Sequence, residues 1–188
     1  MDENKRKHIL FTAMKLFNEY GFHATPTSKI AKKAKVSVGT LFNYFPTKED
    51  LIHEIYKDIK FHSKQVFINQ IRDCQTPHDN LRNMWAAVIT WGIESPEEFN
   101  YMELFLHSPF KKMYLNEKTM ATFDKFRQSI LQAISPKTIC VRYPEYSTFF
   151  IDNALHATIH FLLENEIEDK GHFINSSFEL LWNGFSQE

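Results

Sequence analysis

The chain has 188 residues, of which 43% are hydrophobic and 24% are charged, which suits one compact domain or a small domain joined to a medium one. Only five glycines and seven prolines occur, and no long stretch alternates apolar with polar residues, so a turn-rich sandwich or barrel is excluded. No apolar run reaches the roughly 18 to 20 residues that span a bilayer. The composition therefore predicts a soluble, nearly all-helical protein without a membrane partner.

The charge of the chain is unevenly distributed. The net charge is −1, yet residues 1–48 hold nine basic and three acidic side chains, so the remainder carries a clear acidic excess. A polyanion is attracted to the first part and repelled by the rest, which predicts nucleic-acid binding confined to the N-terminal part. With two cysteines, no CxxC pair and no apolar leader, the expected compartment is the reducing cytoplasm.

Two helices are predicted at the start of the chain. The first runs from about residue 5 to residue 20, where apolar side chains recur on one face, and it ends at Gly21. The second is about two turns long, with Thr25 as its N-cap and Pro26 in its first position, where a missing N–H costs nothing.

A third short helix over 38–44 is predicted to have Ser37 as its N-cap. The run 47–50 has the form of a capping box, a hydroxyl followed three residues later by a carboxylate, and it opens a fourth helix. The second and third helices are separated by three residues, which are the dimensions of a helix-turn-helix whose second helix enters the major groove. On spacing alone, two ordinary packed helices remain an alternative.

Prolines and a glycine mark the breaks between the helices that follow. The expected ranges are 54–74, 78–93, 96–107, 116–134, 144–167 and 172–185. The fold class is therefore all-α, and the expected domains are residues 1–50 and residues 51–188.

The segment from Ile9 to Leu51 resembles the DNA-binding domain of the tetracycline-repressor (TetR) family of bacterial transcriptional regulators. The resemblance is carried by Leu16-Phe17, Gly21-Phe22, Ile30-Ala31, Ala34, Val36-Ser37-Val38-Gly39-Thr40-Leu41, Tyr44-Phe45, Lys48-Glu49 and Leu51. It implies an N-terminal three-helix helix-turn-helix DNA-binding domain and a C-terminal helical ligand-binding and dimerisation domain. It also implies a homodimer that binds a double-stranded DNA operator.

Ten residues are candidate DNA contacts by this resemblance: Thr27, Ser28, Lys35, Ser37, Val38, Gly39, Thr40, Asn43, Tyr44 and Lys48. Gly39 has no side chain and lets the helix approach the groove closely, while Thr40 and Asn43 can hydrogen-bond base edges or phosphates. Lys35 stands where the family usually has glycine, which costs about 1 kcal/mol if the backbone is left-handed there. Phe42 replaces a common tyrosine, and we expect it in the core.

Aromatic residues are concentrated after residue 54, and an aromatic core accounts for most of them. The resemblance adds a cavity between helices, and an aromatic lining holds apolar or planar molecules. The expected effector is a small hydrophobic or aromatic molecule. The residues expected to line its cavity are Trp85, Trp91, Tyr101, Phe105, His107, Phe126 and His156. His156 and His160 are spaced to bind zinc, but no further ligand lies nearby in sequence. We expect no metal and no cofactor, and interpret the two histidines as a polar strip.

The last two helices have apolar stripes wider than the core of one chain requires. In the TetR family such a pair packs against its copy as a four-helix bundle, in keeping with a palindromic operator. The expected dimer interface is Ile151, Leu155, Ile159, Leu162, Phe178, Leu181 and Trp182.

Together these features predict a ligand-responsive regulator, with repression rather than activation as the expected effect. An enzyme using His156, His160 and Glu164, or Glu103 and His107, is a rival interpretation, but no nucleophile motif, phosphate loop or complete metal set supports it. The alternative is a helical protein-binding adaptor with a vestigial DNA-binding domain. Salt-sensitive DNA binding would distinguish the regulator from both.

Overall fold

The computed structural model describes residues 2–70, 76–114 and 144–185, and within these ranges all regular structure is helical. The helices are α1 (Glu3–Tyr20), α2 (Thr27–Lys33), α3 (Val38–Tyr44), α4 (Lys48–Gln70), α5 (Pro77–Glu94), α6 (Pro96–Leu106), α7 (Lys111–Tyr114), α8 (Pro144–Glu164) and α9 (Lys170–Phe185). The all-α class is confirmed for these ranges. The predicted helix over 116–134 lies outside the described residues. None of the helices described is both long and apolar enough to cross a membrane.

The helices α1 to α3 and the first part of α4 pack with α6 and α7 in one unit, Met1–His62 with Ser95–Asn116. Phe17 of α1 is fully buried and packs against Phe22, with ring centroids 5.1 Å apart, and against Tyr101 of α6. The Tyr101 hydroxyl donates a 2.8 Å hydrogen bond to the carbonyl of Ile52 in α4. Burial of this phenol raises its pKa well above the usual value. A helix distant in sequence thus completes the core beneath the helix-turn-helix.

The second unit comprises the described parts of Ser63–Glu94 and Glu117–Glu188. Its core contains Ile89 of α5, Ile159 of α8 and Phe178 of α9, all fully buried. Gly92 of α5 lies so close to Ile159 that a Cβ built on it would meet side-chain carbons at 2.7 to 3.0 Å. The α5 and α8 backbones approach closely here because one of them carries no side chain. The domain boundary at residue 50 stays a prediction, since α4 continues through it without a break.

The start of α2 differs from the prediction. Pro26 occupies the N-cap position without a side-chain cap. Thr25 is fully buried, and its hydroxyl hydrogen-bonds the carbonyls of Leu16 and Gly21 at 3.2 and 2.8 Å instead. The predicted N-cap role of Thr25 is therefore wrong, because the carbonyls of Leu16 in α1 and of Gly21 just after it lie within reach of the same hydroxyl.

Candidate nucleic-acid interface

The turn between α2 and α3 has the sharp geometry of a helix-turn-helix corner. The Ala34 N–H donates to the carbonyl of Ile30 at 2.8 Å, and the Val36 N–H donates to the carbonyl of Ala31 at 3.0 Å. Between them, Lys35 has a φ of 55°, in the left-handed region that favours glycine. The left-handed backbone considered for this position is thus present. The exposed ammonium group of Lys35 is the feature that glycine would not supply.

Replacement of Lys35 by glycine is expected to stabilise the protein by about 1 kcal/mol, because glycine adopts this backbone conformation without a Cβ penalty. The measurement is the midpoint of urea unfolding followed by circular dichroism. The matched control is Lys35→Ala, which removes the same charge and keeps the Cβ. A glycine variant no more stable than the alanine variant would contradict the assigned strain.

The third helix is held by few side chains, so most of its surface is free. Ser37 caps it, accepting a 3.0 Å hydrogen bond from the Thr40 N–H, and the two hydroxyls lie 2.8 Å apart. The predicted cap is therefore confirmed. Leu41 is the one buried residue within α3. Val38, Gly39, Phe42 and Asn43 are exposed, and Thr40 and Tyr44 are partly exposed.

We define the reading face of α3 as Val38, Gly39, Phe42 and Asn43, all of which are exposed. Phe42 is 39% exposed, so its predicted core position is wrong. Leu41 and, just beyond the end of α3, Phe45 are the buried residues through which this helix packs, so the Phe42 side chain points away from the core. An aromatic ring on this face is available to contact a thymine methyl group.

Gly39 is not required by the fold itself. The nearest atom to a Cβ built on it is the Ser37 Oγ, 3.9 Å away, so a side chain would fit in the free protein. Its absence leaves α3 with a bare backbone at the point where a groove would approach.

Lys48 begins α4 and lies near the reading face in sequence. Its Nζ is 6.0 Å from the centre of the Phe17 ring, and partial burial lowers the pKa of this ammonium group against the opposing effect of Glu49. The predicted capping box is confirmed, since the Asp50 N–H donates to the Thr47 hydroxyl at 3.0 Å and the Thr47 N–H donates to the Asp50 carboxylate at 3.1 Å.

The first turn of α2 carries Thr27 and Ser28, half-buried and exposed respectively. Beside them, the Lys29 Nζ lies 3.1 Å from the centre of the Tyr20 ring, in a cation–π contact. Lys32, Lys33 and Lys35 are exposed, so the basic surface of the N-terminal part extends along α2 and its turn.

The sequence did not predict how the amino end of α1 is held. The Asp2 N–H donates to the Tyr44 hydroxyl at 3.1 Å, and the Tyr44 hydroxyl donates to the Asp2 carbonyl at 3.3 Å. Arg6 forms an ion pair with Glu54 of α4 and lies over the Phe45 ring, 5.7 Å from its centre. These partners are 39 or more residues apart, so no local spacing signals them.

The residues expected to line an effector pocket fall into both packed units. Tyr101 and Phe105 are core residues of the first, and the Phe105 ring stacks on Tyr56 with centroids 4.1 Å apart. Their place in the effector lining stays a prediction. His107 is exposed, with its Nδ1 2.9 Å from the Glu103 carbonyl oxygen. Phe126 lies outside the described residues.

Trp85, Trp91 and His156 belong to the second unit. The Trp85 Nε1–H donates to the Ser177 hydroxyl at 3.0 Å. His156 Nε2 lies 3.9 Å from a carboxylate oxygen of Asp152. Over the ranges that the structure describes, no three His, Cys, Asp or Glu side chains come together as a metal site would require.

The expected dimer interface is corrected by the burial of its members. All of the expected residues except the half-buried Trp182 are already covered within a single chain: Ile151, Leu155, Ile159, Leu162, Phe178 and Leu181. A side chain that packs the core of its own chain is not free to bind a partner. The apolar side chains left exposed on α8 and α9 include Phe149, Phe150, Phe161, Leu163 and Leu180, which we call the outer face.

A capped helix with an exposed reading face, packed against a short helix across a sharp turn, defines the helix-turn-helix class of DNA-binding transcriptional regulators. A sequence model described as "Bacterial regulatory proteins, tetR family" matches residues 9–55. A crystal structure assigned to the tetR family of transcription regulators, from Shewanella sp. PV-4, superposes with a TM-score of 0.82 at 25% identity, covering 98% of this chain and 99% of that one.

Two relatives extend the comparison. The chain is 29% identical over 137 residues to YuxN, an uncharacterized HTH-type transcriptional regulator of Bacillus subtilis, covering 69% of this chain and 43% of YuxN. It is 22% identical over 188 residues to the HTH-type transcriptional regulator QacR of Staphylococcus aureus, covering 98% and 100%. The alignment with YuxN thus spans less than half of that relative. Residues 9–55 therefore carry the DNA-binding domain of the TetR family of bacterial transcriptional regulators, and the relatives that the chain resembles are regulators rather than enzymes.

Proposed function

We propose that the protein is a repressor that binds a palindromic operator as a homodimer and is released when a small hydrophobic or aromatic effector binds. The observation that carries the DNA-binding part is the reading face of α3, where the side chains are exposed and the backbone at Gly39 is bare. The predicted DNA contacts other than Tyr44 form the rest of this proposal: Thr27, Ser28, Lys35, Ser37, Val38, Gly39, Thr40, Asn43 and Lys48.

Charge supports the same conclusion. The basic residues Lys32, Lys33 and Lys35 are exposed on α2 and its turn, beside the reading face in sequence. Phosphates attract such a surface without reading sequence, while hydrogen bonds from Asn43 and Thr40 to base edges supply specificity. Thr40 must leave its contact with the Ser37 hydroxyl, or share it, to bind a base.

The homodimer is proposed from the outer face of α8 and α9. The rings of Phe161 on α8 and Phe173 on α9 stack with centroids 5.3 Å apart, so the two helices contribute to one continuous apolar surface. Leu180 on α9 is 79% exposed. A two-fold pairing through this surface would give one molecule two recognition helices, and binding in successive major grooves requires a separation of about 34 to 36 Å between them.

The effector part is proposed from the aromatic content of the second unit. There the His78 ring contacts Trp182 edge-on at 4.5 Å and Phe178 at 5.2 Å. We retain Trp85, Trp91 and His156 as effector contacts, since aromatic surface with a few polar groups suits an apolar or planar molecule. An effector that binds more tightly to the conformation in which the two recognition helices do not fit the operator would lower operator occupancy.

The experiment that tests the proposal is a titration of the purified protein with DNA from immediately upstream of its own gene, with competitor DNA at two salt concentrations. Competitor-resistant binding of two protomers per site is expected, with affinity that falls steeply as salt rises. Binding that is weak and erased by salt and competitor would favour the protein-binding adaptor instead. Activation and repression are then separated by transcription in vitro from the bound promoter.

Two variants in the same titration separate sequence reading from charge. Lys48→Ala is expected to weaken binding to all sequences and to reduce the salt slope by about 1 per recognition domain. Asn43→Ala is expected to cost about 1 to 3 kcal/mol on the operator while leaving competitor binding unchanged. The control is Lys15→Ala, which removes the same charge from α1, where Lys15 pairs with Glu97. An equal loss in the control would show that net charge alone explains the Lys48 effect.

A further inference from the structure

Resting on the proposed DNA binding, the geometry points to Tyr44 as a positioning residue that acts through the amino end of α1 and not as a phosphate contact. A phosphate oxygen accepts hydrogen bonds and therefore needs a donor from the protein. A phenol has a single donor, its O–H. In the structure the O–H of Tyr44 is directed to the Asp2 carbonyl at 3.3 Å, while the same oxygen accepts from the Asp2 N–H at 3.1 Å.

Asp2 is the residue on which the first turn of α1 depends. Its carboxylate accepts hydrogen bonds from the N–H groups of Asn4 and Lys5 at 3.0 and 3.2 Å, and its carbonyl accepts from the Arg6 N–H at 3.1 Å. The side chain thus caps α1, while the main chain is fixed by Tyr44. The last residue of α3 is in this way attached to the first turn of α1.

A second contact strengthens the same attachment. Phe45, the residue after Tyr44, is buried, and the Arg6 guanidinium lies over its ring. Glu54 of α4 pairs with both Arg6 and Lys57, so Arg6 is also bound to α4. The carboxyl end of α3 therefore meets α1 and α4 at one point.

This attachment matters because α3 has little else to orient it. Seven residues long, it buries only Leu41 within its own length. A short helix anchored at one central residue can tilt, and a small tilt displaces the reading face from the base edges. With the Tyr44 hydroxyl in place, the carboxyl end is anchored too, and the orientation of α3 is restricted before DNA arrives.

The test compares wild type with Tyr44→Phe, which removes only the hydroxyl. Operator affinity is expected to fall roughly 3- to 10-fold, the effect of one hydrogen bond. In the free protein, the amide hydrogen exchange of Asn4, Lys5 and Arg6, measured by NMR, is expected to rise by a similar factor. The control is Tyr20→Phe, which removes another phenol of the same unit and keeps the ring beneath Lys29. It should change neither quantity.

Direct phosphate contact predicts a different pattern. The affinity of Tyr44→Phe would fall with no change in amide exchange, and replacing one operator phosphate by neutral methylphosphonate would erase the difference from wild type. That result would overturn the inference, as would a variant whose affinity is unchanged. If wild type itself bound no operator specifically, the proposed function would fail as well, whereas the other outcomes leave it standing.

Discussion

Leu180→Glu is expected to convert the protein into a monomer. Leu180 is 79% exposed on α9, about two turns from Phe173 on the same side of the helix. A carboxylate there would have to lose its water in any apolar pairing of two copies. Each protomer would then hold a single recognition helix. Operator affinity should fall by about 10² to 10⁴-fold, because the second half-site no longer binds as part of the same molecule. Sedimentation velocity and the operator titration measure the two effects.

The matched control is Asn175→Glu on the same helix. Asn175 is exposed, and its position on α9 lies away from that of Leu180 around the helix axis. This variant should remain dimeric and bind the operator normally. A Leu180→Glu protein that sediments as a dimer would place the interface elsewhere. By contrast, charges at Leu155 or Ile159 are expected to unfold the second unit, because both side chains are buried in the chain's own core.

Gly92→Ala is expected to destabilise the protein by about 1 to 3 kcal/mol, although alanine is the better helix former. The added Cβ would meet the Ile159 side chain at 2.7 to 3.0 Å, through three of its carbon atoms. Ile159 is fully buried and cannot move into solvent. Either α5 and α8 move apart or Ile159 adopts a strained rotamer. The measurement is the midpoint of urea unfolding.

Gly184→Ala is the control for this substitution. Gly184 also lies in a helix, but among the described residues nothing beyond its chain neighbours and its own helix backbone lies within 4 Å of the Cβ position. The change should therefore be neutral or slightly stabilising. A second test uses Ile159→Ala, which removes the atoms that clash. In that background the further cost of Gly92→Ala should largely disappear. Equal costs in both backgrounds would mean that the α5–α8 contact does not explain the effect.

Local signals in the sequence were reliable where a feature depends on neighbouring residues. The Ser37 cap and the capping box at Thr47 and Asp50 both join residues three positions apart, and the structure has both. Thr25 shows the limit of this reasoning. Its hydroxyl has the chemistry of an N-cap, but the carbonyls of Leu16 and Gly21 are also within reach once α1 and the turn are folded, and they bind it instead.

The sequence was a less reliable guide to which face of each helix is buried. Phe42 is expected in the core because it lacks the hydroxyl of the tyrosine common at this position, yet α3 buries only Leu41 within its length and leaves Phe42 39% exposed. On α8 both faces carry apolar side chains. Periodicity identifies a row of them without showing whether the same chain or a second copy covers it. The stripe through Leu155 and Ile159 packs within the chain, so the surface that we propose for binding a second copy is the outer face.

The sequence by itself determined the helical class, the helix-turn-helix and its resemblance to the TetR DNA-binding domain, because helix periodicity, caps and a motif of some forty residues are all local. Tertiary structure decided which apolar face is buried, that α6 completes the core beneath α1, and that the donor of Tyr44 is directed to Asp2. These are contacts between residues far apart in the chain. They depend on which surfaces meet when the helices pack, and no spacing along the sequence records that choice.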